Sequence, residues 1–271
     1  MIDYNLKGKV AVITGAGGAI CGQIANALAD EGVSVAIWDI SLGAAIKKRD
    51  EIISSEGVAI AVECDVTKKM SVTRALKQTL TKYSSIDILI NGAGGSHKET
   101  TTSAQTEFFD IKQEAMKQAV YLNYMSAVIP SQAVGRIFAK KKTGVILNIT
   151  SVAGILPLTR AIGYSNAKAA LSSFTKWLAV HMAQNYSSKI RVNAIAPGFI
   201  LTKQNRFLLI DKDTGGMTER GEKILKNVPM ARYGELKEIA GTALWLVSDI
   251  ASFITGTVIP VYGGFTAFSG V

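Results

Sequence analysis

Apolar and polar positions alternate in blocks along this chain. Short, nearly continuous runs rich in Val, Ile and Leu recur at Val10–Thr14, Val33–Trp38, Val58–Glu63, Ile86–Asn91, Val145–Thr150, Ile190–Ala196 and Val258–Val261. Several of these lack strict alternation, which predicts strands covered on both faces, as in a parallel sheet. Between them apolar positions recur at helical spacing near 20–30, 42–56, 68–83, 104–141, 164–186 and 235–248. Such strand–helix alternation predicts right-handed βαβ units. It therefore predicts an α/β, doubly wound, seven-stranded parallel sheet, in a single domain over residues 1–271. The polar, glycine-containing stretch 199–230 breaks the rhythm just past the sixth strand. It reads as a substrate lid or as a surface excursion, and composition does not choose between them.

Composition narrows the class. Of the 271 residues, 48% are apolar and 19% charged, a globular balance. The net charge of +9 raises the question of nucleic acid, but the basic residues are scattered. Their densest run, Lys140, Lys141 and Lys142, precedes Thr143 and Gly144 and reads as the last turn of a helix before a glycine stop. The excess of cations suits an anionic cofactor and an anionic substrate rather than nucleic acid. Cys21 and Cys64 have neither metal-ligand spacing nor a disulfide framework, which predicts a reducing, cytoplasmic setting and no metal. The start lacks the apolar stretch of a signal peptide, and no run approaches the roughly 20 apolar residues that span a bilayer.

Candidate chemistry begins in the first strand–helix turn, Thr14-Gly15-Ala16-Gly17-Gly18-Ala19-Ile20. A glycine-rich turn there lets the backbone approach a pyrophosphate, which the following helix N-terminus can meet with free N–H groups. Strand two ends in Asp39 and Ile40. A carboxylate at that place accepts hydrogen bonds from ribose hydroxyls and repels a 2′-phosphate, so NAD is expected rather than NADP. Asp65 and Val66 follow strand three, and Asn91, Gly92, Ala93 and Gly94 close strand four. Asp65 can bond an adenine amine or cap the next helix; the small residues at 92–94 let a cofactor lie against backbone. Further on, Tyr164 and Lys168 stand four apart, on one helical face about one turn from each other. A cation favours phenolate, so the lysine is expected to lower the tyrosine pKa from about 10 and ready it for acid–base work near neutral pH.

Together these pieces resemble the short-chain dehydrogenase/reductase superfamily over essentially the whole chain. The resemblance is carried by Thr14-Gly15 with its loop, Asp39, Asp65, Asn91 to Gly94, Asn123, Ser151, Tyr164 with Lys168, Pro197-Gly198 and Thr202, with Ser151 standing 13 residues before Tyr164. It implies a Rossmann fold and a catalytic tetrad of Asn123, Ser151, Tyr164 and Lys168. It also implies that Asn123 ties a water into a proton path from Lys168. Pro197, Gly198, Ile200 and Thr202 would form the nicotinamide-side segment, and the expected assembly is a homotetramer. Three departures from the family pattern stand out. Ala19 and Cys21 replace loop glycines, Gly92 replaces a second asparagine, and Tyr262 precedes Gly263-Gly264 where an aspartate is common. Local features around Gly95-Ser96-His97-Lys98 and 196–209 further imply a sugar-acid substrate. Arg160 and Arg206 are candidates for its carboxylate, and His97, Ser151 and Asn205 for its hydroxyls or carbonyl oxygen. Another polyol dehydrogenase or a 3-oxoacyl reductase of the same fold is the alternative.

Overall fold

The computed structural model describes residues 3–269 apart from 97, 203, 204 and 213. Its strands are β1 (Val10–Thr14), β2 (Ser34–Asp39), β3 (Ala59–Glu63), β4 (Ile88–Asn91), β5 (Gly144–Ile149), β6 (Ile190–Pro197) and β7 (Val258–Val261). Every predicted strand is present, with bounds within two residues of those expected. All pair in parallel, in the order β3-β2-β1-β4-β5-β6-β7. The helices are α1 (Ala19–Asp30), α2 (Leu42–Ser54), α3 (Lys69–Tyr83), α4 (Gln113–Val120), α5 (Ser126–Lys141), α6 (Ile162–Asn185), α7 (Arg206–Leu209), α8 (Glu219–Lys226) and α9 (Leu236–Val247).

The period-two geometry of a strand explains the two cores. In β1, Ala11 and Ile13 point to one face, where they meet Ile24 and Leu28 of α1, Ile52 of α2 and Ile239 of α9. Val12 points to the other, among Val72 of α3, Phe138 of α5 and Leu178 of α6. Both faces of the sheet are therefore covered, which is why its strands lack polar alternation.

Three expectations change. The helix predicted over 104–141 begins only at Gln113, because 98–112 forms short 3-10 turns and the bridges Thr101–Ala161 and Ser103–Thr106. Hydroxyls there compete with a helix for the backbone: Ser103 Oγ accepts from the Gln105 N–H at 3.1 Å. The same helix is interrupted by a π turn at Tyr121–Met125. The Asn123 amide donates at 3.0 Å to the Ala119 carbonyl, which an unbroken α-helix would reserve for the Asn123 N–H. The helix end after the lysine run also differs in detail, since Lys142 itself takes the left-handed conformation at φ 61°.

The stretch 199–230 contains structure that the sequence reading passed over. Thr218 caps α8 by accepting from the Gly221 N–H at 3.1 Å, with Glu219 and Glu222 in the first turn and Lys223 and Lys226 in the last. That arrangement of charge with the helix dipole is visible in the sequence and could have been found there.

Candidate active site

Strand order lays the site out in a line. From β3 to β6, the residues just past the strand ends are Asp65, Ile40, Gly15, Gly92, Ser151 and Gly198. Six strand ends at about 4.8 Å spacing make a line of roughly 24 Å. It crosses the point between β1 and β4 where the strand order reverses, the usual crevice for ligands in such sheets. A cleft of about 800 Å³ runs along it.

At one end Asp39 organises the turn. Its carboxylate accepts from the Gly17 N–H at 3.0 Å and from the Ser41 N–H at 2.9 Å. Each oxygen keeps a lone pair for a ribose hydroxyl, and Ile40, 70% exposed, offers no cation to a 2′-phosphate. Asp65 does the local work of a turn: Oδ1 accepts from the Thr67 N–H at 3.1 Å and its hydroxyl at 2.6 Å, and Oδ2 faces Lys68 at 3.0 Å. Burial alone would raise its pKa, but the Thr67 and Lys68 contacts outweigh that and hold it below the ordinary carboxylate range. Asp65 and Val66 both line the cleft, so the turn role and contact with a base are compatible.

In the middle, Gly15 takes φ +67°, and a Cβ there would stand 2.9 Å from the Ala93 Cα. Only glycine allows this close approach of the β1 and β4 ends. The Thr14 hydroxyl ties them by accepting from the Gly92 and Ala93 N–H groups at 3.0 and 3.2 Å. The first turn of α1 carries no acidic residue, so its N–H groups face an incoming pyrophosphate without competition. Gly17, Gly18, Ala19, Ile20, Gly92, Ala93 and Gly94 all line the cleft. These features fit a dinucleotide. Asn91 does not reach it: its amide donates to Ser131 Oγ at 3.0 Å and Asn148 Oδ1 at 2.9 Å inside the core.

At the other end stand Ser151, Tyr164 and Lys168, brought together by the end of β5 and the first turns of α6. The Ala153 N–H donates to Ser151 Oγ at 3.1 Å, which leaves the hydroxyl proton to point elsewhere. Lys168 Nζ lies 5.7 Å from the Tyr164 ring centroid and donates to the Ile149 carbonyl at 2.9 Å. The two side chains are thus neighbours, as the spacing predicts. Asn123 sits behind them, buried. Its Oδ1 accepts from the Gly95 N–H at 2.9 Å and its Nδ2 donates to the Gly95 carbonyl at 2.8 Å. The side chain therefore clamps the turn after β4.

The electrostatics correct one expectation. Burial raises the Tyr164 pKa above its ordinary value, and a hydrogen bond from the Ser151 hydroxyl offsets this only in part. Burial also pushes the Lys168 ammonium down to about 8. Burial of the phenol outweighs the neighbouring ammonium, which donates to the Ile149 carbonyl and lies beside the ring.

The substrate side is less assembled. Pro197, Gly198, Ile200, Thr202 and Asn205 line the cleft. The Asn205 amide, expected to bond substrate hydroxyls, instead donates to the Ile200 carbonyl at 2.8 Å and accepts from the Thr202 N–H at 2.8 Å. It staples the segment that carries Thr202. Arg160 and Arg206 are exposed and outside the cleft wall. His97 lies outside the described residues. Among the described residues no cluster of metal-ligating side chains occurs, and no helix is long and apolar enough to cross a membrane. Leu122 lines the cleft without having been anticipated; as a helix residue of ordinary type it carries no sequence signal, while Ser96 and Phe199 fall in the two stretches singled out above.

A family model described as enoyl-(acyl carrier protein) reductase matches residues 15–266. The chain is 42% identical over 281 aligned positions to the uncharacterized oxidoreductase UxuB of Bacillus subtilis (strain 168), covering 100% of this chain and 99% of that one. It is 37% identical over 265 positions to a 3-oxoacyl-(acyl-carrier-protein) reductase of Synechocystis, covering 97% and 99%. Among solved structures, a Haemophilus influenza protein provisionally named a D-mannonate oxidoreductase, with bound NAD, matches at a TM-score of 0.92 and 39% identity over 98% of each chain.

Proposed function

The chain belongs to the short-chain dehydrogenase/reductase family, and from that premise we propose that this NAD-dependent oxidoreductase interconverts D-mannonate and D-fructuronate. The observation that carries the substrate reading is the full-length likeness to the provisionally named D-mannonate oxidoreductase with bound NAD. NAD supplies the hydride acceptor or donor. The chain's own residues do the rest. In the direction of reduction, the Tyr164 phenol gives its proton to the carbonyl oxygen, and the Ser151 hydroxyl bonds the same oxygen as charge develops there. The Lys168 ammonium beside the ring stabilises the phenolate left behind until solvent returns the proton to Tyr164. Asn123 holds the Gly94–Gly95 turn against this group. Arg160 or Arg206 takes the substrate carboxylate from the rim. The protein acts as a homotetramer, in which the exposed Trp177 and Val180 of α6 are covered.

The test is a substrate panel followed by NADH absorbance: hexuronates with NADH, hexonates and neutral polyols with NAD, and a 3-oxoacyl thioester with either cofactor. D-fructuronate is expected to give the highest kcat/KM. A higher value for another sugar acid, such as the substrate pair of a gluconate 5-dehydrogenase, would move the substrate within the same chemistry. A higher value for the thioester would replace the sugar-acid reading, as the Synechocystis likeness allows.

A further inference from the structure

Two departures of this sequence from its family pattern meet in space. Cys21 stands on α1 in place of a loop glycine, and Gly92 stands after β4 in place of an asparagine. A Cβ built on Gly92 would collide with Cys21 Sγ and would stand 3.2 Å from the Thr14 carbonyl oxygen. Both residues line the cleft, and Cys21 is only 4% exposed. Burial lifts its thiol pKa to about 12, so the group is a neutral filler and not a nucleophile.

We infer that Cys21 and Gly92 form one coupled positioning pair: the thiol occupies the volume that a side chain at 92 would fill, and so fixes the floor on which the dinucleotide rests. The Thr14 hydroxyl bonds to the Gly92 and Ala93 N–H groups run through the same spot, so a shift at 92 moves the ends of β1 and β4 together. Neither residue can change alone without strain or a void; changed together, they exchange one filling for another. The inference rests on the cofactor reading and is independent of the substrate.

The experiment is a set of NADH fluorescence titrations on the parent, Cys21→Gly, Gly92→Asn and the double variant, with thermal unfolding and turnover at saturating NADH measured on each. Cys21→Gly is expected to weaken NADH several-fold, and Gly92→Asn by about a hundredfold, as overpacking of a tight site implies. The double variant should recover at least about tenfold over Gly92→Asn, the size of coupling typical of residues in contact. Turnover at saturating NADH should change less than NADH affinity, a split that general destabilisation does not produce. Should Gly92→Asn fail to fold, recovery of folded protein in the double variant reads the same coupling, and Gly92→Ala with and without Cys21→Gly repeats the test at smaller volume. Additive losses in the double variant, or a Gly92→Asn protein that binds NADH like the parent, would overturn the inference. A parent protein that binds no NADH would instead overturn the cofactor reading.

Discussion

The two halves of the cleft are built by different means. The half from β3 to β5 uses strand ends, and its groups are held by main-chain bonds: Asp39 on Gly17 and Ser41, Thr14 on Gly92 and Ala93, Lys168 on Ile149. The other half is lined by Gly95, Ser96, Phe199, Ile200, Thr202 and Asn205, from the irregular segments that follow β4 and β6. A parallel sheet fixes the positions of strand ends once its register is set, so groups placed there are pre-organised. Loops on the rim carry no such constraint and can change without disturbing the sheet. The contrast separates proton and hydride chemistry, which is fixed, from substrate choice, which is not. It also fits a chain similar over nearly its whole length both to a 3-oxoacyl-(acyl-carrier-protein) reductase and to a protein provisionally named a D-mannonate oxidoreductase.

The sharpest way to break that division is to remove the proton donor. Tyr164→Phe is expected to lower turnover by about 10²–10⁴-fold while NADH affinity, read by fluorescence, stays near the parent's. Near-normal rates would mean that another group moves the proton. Ser151→Ala should cost about a hundredfold in kcat, as loss of one donor to the developing oxyanion does. An effect confined to KM would make Ser151 a binding group instead. Asp39→Ala removes a ribose acceptor and loosens the Gly17 turn together, so NAD should weaken about tenfold or more and the discrimination against NADP should shrink. Unchanged cofactor preference would sink the ribose assignment. On the rim effects should be smaller: Arg206→Ala or Arg160→Ala should raise KM several-fold for sugar acids and leave neutral polyols alone. Equal effects on both would end the carboxylate assignment.

The same division governs what the sequence disclosed. Strands and most helices follow from hydrophobic period, and glycine, Asp39 and the Tyr164–Lys168 spacing follow from chemistry that local sequence must satisfy. Asn91 was misplaced, and Asn205 lines the cleft but bonds its own segment, because an amide looks alike in sequence whether it faces a ligand or the chain; only the fold shows which carbonyls stand beside it. At the π turn, Asn123 bonds a partner distant in sequence, Gly95, that no helical pattern reveals. The phenol's pKa was misjudged for a related reason. Spacing gives the neighbouring charge but not the burial, and burial is the larger effect on both Tyr164 and Lys168.

That balance between burial and charge is the centre of the account, and it can be measured without any substrate. An ultraviolet titration of the cofactor-free protein, taken as the difference between the parent and Tyr164→Phe, isolates one phenol from the others. The account predicts no phenolate signal from Tyr164 until the pH passes the ordinary tyrosine value of about 10. A phenolate band that grows in near neutral pH would contradict it.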